Sequence, residues 1–364
     1  MGGAEQQYVK EAFDTNWIAP VGPHVTAFEQ KLSEISLNYN IAALSSGTAA
    51  IHLALILLDI NHVDDVICSS FTFSASVNPI KYLDANPILI DSEPDSWNMC
   101  PELLELAIKE GISANKKPKA IIMVHLYGMP AKIDQIMHIA NSYDIPVIED
   151  AAEALGSTYN NQPLGTFGDF GIYSFNGNKI ITTSGGGALV CEDENMIEKT
   201  KFLSTQARDK APHYEHSAIG YNYRISNVCA AIGLGQLEVL DNRVIQKRKI
   251  NEYYKKELSS INEISFLEEN EGSFSNFWLT TILLDESSAI DSEELRLHLE
   301  KDNIESRPLW KPMHIQPIFK DCKSYTNGVS EDLFKRGLCL PSGTNISEQE
   351  LERIVKKIKK LYEA

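Results

Sequence analysis

The sequence has no apolar run long enough to cross a bilayer. Its longest, residues 49–60, is interrupted by His52 and Asp59, and a membrane helix needs about 20 apolar residues. Paired cysteines are also missing. The six cysteines (Cys68, Cys100, Cys191, Cys229, Cys322 and Cys339) show no C-x-x-C spacing and no accompanying histidine cluster. That leaves free, buried thiols as the expectation, with no metal site and no disulfide framework. Positive charge is scarce: 33 Lys and Arg stand against 50 Asp and Glu, for a net charge of -17. Nonspecific binding to nucleic acid or to an anionic membrane is disfavoured. A small anionic ligand is not, because a few cations can line one pocket. Neither G-x-G-x-x-G after the first expected strand nor G-x-x-x-x-G-K-[ST] occurs, which removes the motifs of nicotinamide-binding and P-loop proteins. The opening Met1-Gly2-Gly3-Ala4-Glu5 is not that of a signal peptide, so cytoplasmic residence is expected.

What is present is an ordinary globular composition, 43% hydrophobic and 23% charged over 364 residues. This length suits one large domain and a smaller one. Short apolar runs at 41–45, 66–69, 87–90, 120–124 and 147–148 read as strands. Helical patterns at 49–58, 75–83, 101–108 and 132–142 alternate with them. Such alternation predicts an α/β fold with a mostly parallel sheet and helices on both faces. A long helical pattern over 227–258 turns from apolar to charged after Asn242, as expected of a helix leaving the large domain for the smaller one. Beyond it lie a strand at 277–284, a helix at 292–299 and a terminal helix at 348–361. The polar stretch 268–275 reads as an exposed loop.

Chemistry concentrates around Lys179. It follows the strand-like run 170–175 and precedes Gly185-Gly186-Gly187, so a tight loop between buried segments is expected to hold it. Val147-Ile148-Glu149-Asp150 is an apolar strand ending in acids. A strand-end acid and a loop lysine are what pyridoxal phosphate (PLP) requires: the lysine forms the Schiff base and the acid holds the pyridinium proton. Four further features fit. Ser46-Gly47-Thr48 starts a helix, which offers free N–H groups to a phosphate or simply caps the helix. Ser174 could donate its hydroxyl to that phosphate. One ring of Phe71-Thr72-Phe73 could stack on a pyridine while the other fills core. Glu153 could reach the ring hydroxyl or the amine, or stabilise a helix start.

With these motifs in order, the chain resembles the fold-type I PLP enzymes of the DegT/DnrJ/StrS group, the nucleotide-sugar aminotransferases. The likeness is carried by residues 70–73, 148–156, 174–187 and Gly220-Tyr221-Asn222-Tyr223-Arg224-Ile225-Ser226-Asn227. Within the group, residues 204–208, 307–311 and 340–344 look most similar to transaminases making UDP-4-amino-4,6-dideoxy-N-acetylglucosamine, the bacillosamine route. Two departures stand out: relatives usually carry a few more residues before Gly2, and many have Gly-Glu where this chain has Ser184-Gly185.

The resemblance implies a large PLP-binding domain over 20–240. It also implies a smaller α+β domain over 241–364 joined by the segment 1–19. It implies that Lys179 carries the cofactor and shuttles the proton, Asp150 pairs with the ring nitrogen and Glu153 sits by the ring hydroxyl. Thr48 and Ser174 would hold the phosphate, and Phe73 would stack on the ring. Asn222 would reach the phosphate of the neighbouring subunit in a homodimer, while Arg307 and His314 would lie near substrate. The implied reaction moves an amino group from L-glutamate to the C4 keto group of a UDP-linked 4-keto-6-deoxy-N-acetylglucosamine. Alternatives are C3 or C4 amination of a dTDP- or GDP-linked keto-deoxy sugar, and a non-catalytic binding protein on the same fold.

Overall fold

The computed structural model describes residues 1–363. Its centre is an eight-stranded sheet. The spatial order is Asn40–Leu44, Gly187–Cys191, Phe170–Ser174, Val147–Asp150, Ala120–Val124, Asp65–Ser69, Asn86–Ile90, Lys323–Tyr325. Gly187–Cys191 runs antiparallel to both of its neighbours, and all the other pairings are parallel. The expected fold-type I α/β architecture is therefore the observed one. Its strands are continuous apolar runs because both faces are covered. Every residue of Asp65–Ser69, Ala120–Val124 and Phe170–Ser174 is buried. Asp150 ends its strand in register with Val124 and Ile172. It therefore sits at the carboxyl edge of the parallel sheet, where open α/β folds place ligands.

A second sheet, antiparallel, has the order Ile264–Phe266, Thr280–Leu284, Gly337–Leu340, Arg307–Pro308. The helices Leu240–Leu258, Ser292–Glu300 and Glu348–Tyr362 close a separate apolar core on it, with Tyr254, Ile282, Leu295, Leu338 and Ile358 at the centre. The terminal helix starts from a capping box in which Ser347 and Glu350 satisfy each other's backbone N–H groups. Each such cap stabilises by about 1 kcal/mol.

Several sequence expectations are corrected. The pattern over 227–258 is two helices, Asn227–Leu237 and Leu240–Leu258, because Val239 leaves the helical region (φ -115°, ψ 8°). The helix expected over 75–83 is a 3-10 turn, Ser74–Ser76, followed by the short helix Asn78–Tyr82. Pro79 lacks an N–H and starts a helix more readily than it continues one. In the stretch expected to be an exposed loop, Ser273–Phe274 pairs with Thr158–Tyr159, and Ser275 is fully buried.

The helix Glu5–Asp14 packs on Asn227–Leu237. A Cβ at Gly235 would come within 2.7 Å of the Glu5 nitrogen, so only glycine lets the two helices approach this closely. Glu5 also accepts a hydrogen bond from Gln236. We propose a division of the chain near residue 240, with the segment 1–19, expected on the smaller unit, placed instead on the larger one through this packing. Lys323–Tyr325 crosses that division to pair with Asn86–Ile90.

Candidate active site

A cavity of about 990 Å³ opens at the carboxyl edge of the large sheet. Its inner end is built from three chain segments that glycine brings together. The helix Gly47–Leu57 begins at Ser46, whose Oγ caps it by accepting from Ala49 N at 3.0 Å. A Cβ at Gly47 would lie 3.2 Å from the Ser174 Cβ, and one at Gly187 would lie 2.3 Å from the Gly47 nitrogen. The helix N-terminus, Thr48, Ser174 and Gly185-Gly186 thus line one end of the cavity. The unbonded N–H groups and dipole of such a terminus favour phosphate. Ser46 fills the capping role that its sequence also allowed, and the two readings coexist.

Asp150 is 4% exposed and lines the cavity wall. Its carboxylate accepts from the Ser76 hydroxyl at 2.6 Å and from Ala152 N at 3.2 Å. Ser76 is in turn bonded to Thr72 Oγ1 at 2.7 Å. This chain fixes the carboxylate plane. Phe71 is buried in the core, whereas Phe73 is 57% exposed and lines the cavity with its ring 5.6 Å from Trp310. The structure thus divides the two rings into one core filler and one available for stacking.

Lys179 sits on the loop between Phe170–Ser174 and Gly187–Cys191. Bonds from Phe175 N to Gly186 O and from Thr183 N to Phe175 O close that loop. Its side chain is only 11% exposed. Nζ lies 3.5 Å from Glu153 Oε1 and 4.2 Å from the centre of the Trp278 ring. Glu153 also accepts from the backbone N–H of Tyr127 at 2.6 Å. Tyr127 adopts φ +55°, rare for an aromatic residue, and its hydroxyl accepts from Trp310 N at 3.0 Å.

Burial pushes the Glu153 carboxyl up to about 7, against the pull of Lys179 and the Tyr127 N–H, and Asp150 adds to the rise. A folded pKa above the ordinary 4.5 means that the protonated form stabilises the fold. That contribution is complete below the unfolded pKa and is lost as pH rises through the folded one. Glu153→Gln apoprotein should therefore gain on wild type by about 1–3 kcal/mol between about pH 5 and about pH 8. Denaturant melts at both pH values measure this, and parallel curves would contradict it.

Arg307 lines the cavity, with its side chain 77% exposed and paired to Glu305. His314 is not among the lining residues. Its Nδ1 is 2.6 Å from Ser70 Oγ, its Nε2 is 3.2 Å from Glu331, and its side chain is 6% exposed. It is occupied in tying the segment after Trp310 to the strand that precedes Phe71. Asn222 also lies outside the cavity of this chain. It is exposed, and its backbone bridges to Thr205.

Sequence reasoning missed Ser76, Tyr127, Trp278 and Lys247. Trp278 sat inside an apolar run and read only as strand. Ser76 carried a weak signal, an alcohol five residues after the candidate stacking pair began. Lys247 looked like one more charge on a charged helix.

The residues fit PLP on their donor chemistry. The Lys179 amine, the Asp150 carboxylate held by a serine, and a glycine-packed helix terminus line one cavity. No cluster of metal-binding side chains occurs among the described residues.

The whole-chain comparisons agree. EpsN of Bacillus subtilis (strain 168), named as a pyridoxal phosphate-dependent aminotransferase, is 52% identical, covering 100% of this chain and 94% of EpsN. GDP-perosamine synthase of Escherichia coli O157:H7 is 40% identical, covering 99% of this chain and 96% of that protein. The crystal structure of a DegT DnrJ EryC1 StrS aminotransferase from Brucella abortus superposes with a TM-score of 0.92 at 28% identity, covering 99% of this chain and 96% of that one. Residues 1–359 match the DegT/DnrJ/EryC1/StrS aminotransferase family as a whole. The protein is a PLP-dependent aminotransferase, and it belongs to the DegT/DnrJ/EryC1/StrS family.

Proposed function

We propose that the enzyme moves an amino group from L-glutamate to the C4 keto group of a UDP-linked 4-keto-6-deoxy-N-acetylglucosamine. The single observation that carries the sugar-aminotransferase reading is the cavity itself. Lys179, Asp150 and the phosphate-suited helix terminus share it, and its volume is at the upper end of the range for ligand sites, about 300–1,000 Å³. It has room for a cofactor and a second ligand.

PLP, when bound, supplies an electrophilic carbonyl and an electron-withdrawing ring. The chain's own residues do the rest. The helix terminus, Thr48 and Ser174 bind the phosphate. Asp150, held by Ser76, keeps the ring nitrogen protonated. The Lys179 amine would hold the cofactor and would move the proton at the reacting carbon. Glu153 lies beside that amine and can hold or return a proton. Phe73, Trp278 and Trp310 line the cavity and limit water.

A second reading rests on the relatives. GDP-perosamine synthases match at full length, which favours a GDP-linked keto-deoxy sugar. Incubation with L-glutamate and UDP-, dTDP- and GDP-linked keto-sugars, with products identified by mass spectrometry and NMR, separates these. Turnover of only the GDP sugar would replace the first reading with the second.

We further propose a cytoplasmic homodimer in which Asn222 completes the partner's phosphate site. Asn222 is exposed, as are Tyr214 and Ile219 a few residues before it in the chain, at 78% and 84%, which supports it. Asn222→Ala should weaken PLP retention. Mixing it with Lys179→Ala protein should restore one normal site per mixed dimer, and equal weakness in the mixture would refute the shared site.

A further inference from the structure

Lys247 is a buried cation that the steps above do not use. It projects from the helix Leu240–Leu258 and is 7% exposed. Among the described residues no carboxylate pairs with it, and its one hydrogen bond runs from Nζ to the Trp278 carbonyl at 2.7 Å. Burial alone pushes its ammonium down to about 8. A charge in this position costs stability unless something compensates it. A neutral side chain could make the Trp278 bond as well.

Lys247 also lines the cavity. Trp278 touches both lysines: its carbonyl holds Lys247, and its ring lies 4.2 Å from Lys179 Nζ. Lys247 therefore stands one residue away from the amine at which amino groups are exchanged. Ser306 lines the same cavity, and its buried Oγ has no partner. It precedes Arg307–Pro308 as Trp278 precedes Thr280–Leu284, and these two strands flank Gly337–Leu340 in one sheet.

We propose that Lys247 binds a carboxylate of the amino-acid amine donor, on the cavity wall that Trp278 shares with Lys179. The proposal rests on the aminotransferase reading and names the residue that recognises the donor. The other anion that must enter the cavity is the diphosphate of the sugar nucleotide. Arg307 suits that group better. It is exposed at the opening, and an exposed ion pair such as Arg307–Glu305 is worth at most about 1 kcal/mol, so a ligand can exchange it. A carboxylate adjacent to a reacting amine instead needs a cation near Lys179.

The test uses holoenzyme in single half-reactions. L-Glutamate alone is titrated while the cofactor spectrum is followed. The nucleotide keto-sugar is then titrated against the aminated form. Lys247→Gln keeps a donor for the Trp278 carbonyl but removes the charge. It should retain the cofactor band and raise the glutamate concentration for half-saturation about 10- to 100-fold, as loss of a charged hydrogen bond implies. The sugar constant should stay within about threefold. Lys247→Met, a second neutral variant, should behave the same way if the glutamine variant folds poorly. An unchanged glutamate constant in the variant that folds would overturn the proposal. A rise confined to the sugar constant would also overturn it and assign Lys247 to the diphosphate. Direct calorimetric binding of glutarate to wild-type holoenzyme should be seen and should weaken in parallel in the variant. Absence of any spectral response of wild type to glutamate would instead refute L-glutamate as the donor.

Discussion

Lys179→Ala will abolish amino transfer while leaving the fold in place. The turnover lost should be at least about 10⁴-fold, more than 5 kcal/mol of barrier. Two roles disappear with one amine: the attachment point of the cofactor and the base that moves the proton. Structural damage should be small, because the side chain contributes only the 3.5 Å pairing with Glu153 and the contact with the Trp278 ring. Removing the cation leaves Glu153 buried without its partner, and that group can respond by staying protonated. The variant should keep a near-wild-type circular dichroism spectrum and still take up PLP through the phosphate site. Single-turnover assays in both directions check this. Appreciable amino transfer by the purified variant would remove Lys179 from the chemistry.

Asp150→Asn should give the second largest loss. The carboxylate faces the cavity and is oriented by Ser76, itself held by Thr72. An amide keeps an acceptor for Ser76 but cannot supply the negative charge that retains a proton on a pyridine nitrogen. The expected cost is several kcal/mol, about 10²- to 10⁴-fold in kcat, in the range for an electrostatic group aimed at developing charge. Cofactor content should fall less than activity, since the phosphate contacts are untouched. Wild-type kcat in this variant would reduce Asp150 to a structural role.

The sequence made the site legible where chemistry coincides with a strand end. Val147–Asp150 starts apolar and ends in two acids, which marks its last residue as a candidate for the sheet edge. The glycines after Lys179 announced a closed loop. Ser46-Gly47-Thr48 announced a helix start. Polar residues that are buried were the ones misread. Ser275 stood in a stretch expected to be exposed and Asn276 directly follows it, yet Ser275 Oγ donates to Gly128 O, and Asn276 Nδ2 donates to the carbonyls of Glu153 and Leu155. Their polarity serves backbone groups behind Glu153, and composition cannot tell that from solvation. The break at Val239 was hidden for a different reason: the apolar period continues across it. His314 was placed near substrate by the resemblance alone. Its position is set by Ser70 and Glu331, which lie 244 and 17 residues away along the chain. Lys247 went unnoticed because a lysine on a charged helix carries no mark of burial.

Three lysines line the cavity, Lys179, Lys247 and Lys311, and the central claim assigns the cofactor to the first. On intrinsic chemistry Lys247 is a serious competitor, because burial pushes its ammonium down to about 8 and a neutral amine is the better nucleophile. On position, Lys179 lies on the glycine-closed loop that leads from Ser174, with Glu153 beside it. Borohydride reduction of the holoenzyme fixes the cofactor to whichever lysine holds it, and peptide mapping then locates the phosphopyridoxyl group. The group should appear on Lys179 alone; its appearance on Lys247, or on no lysine, would contradict the account.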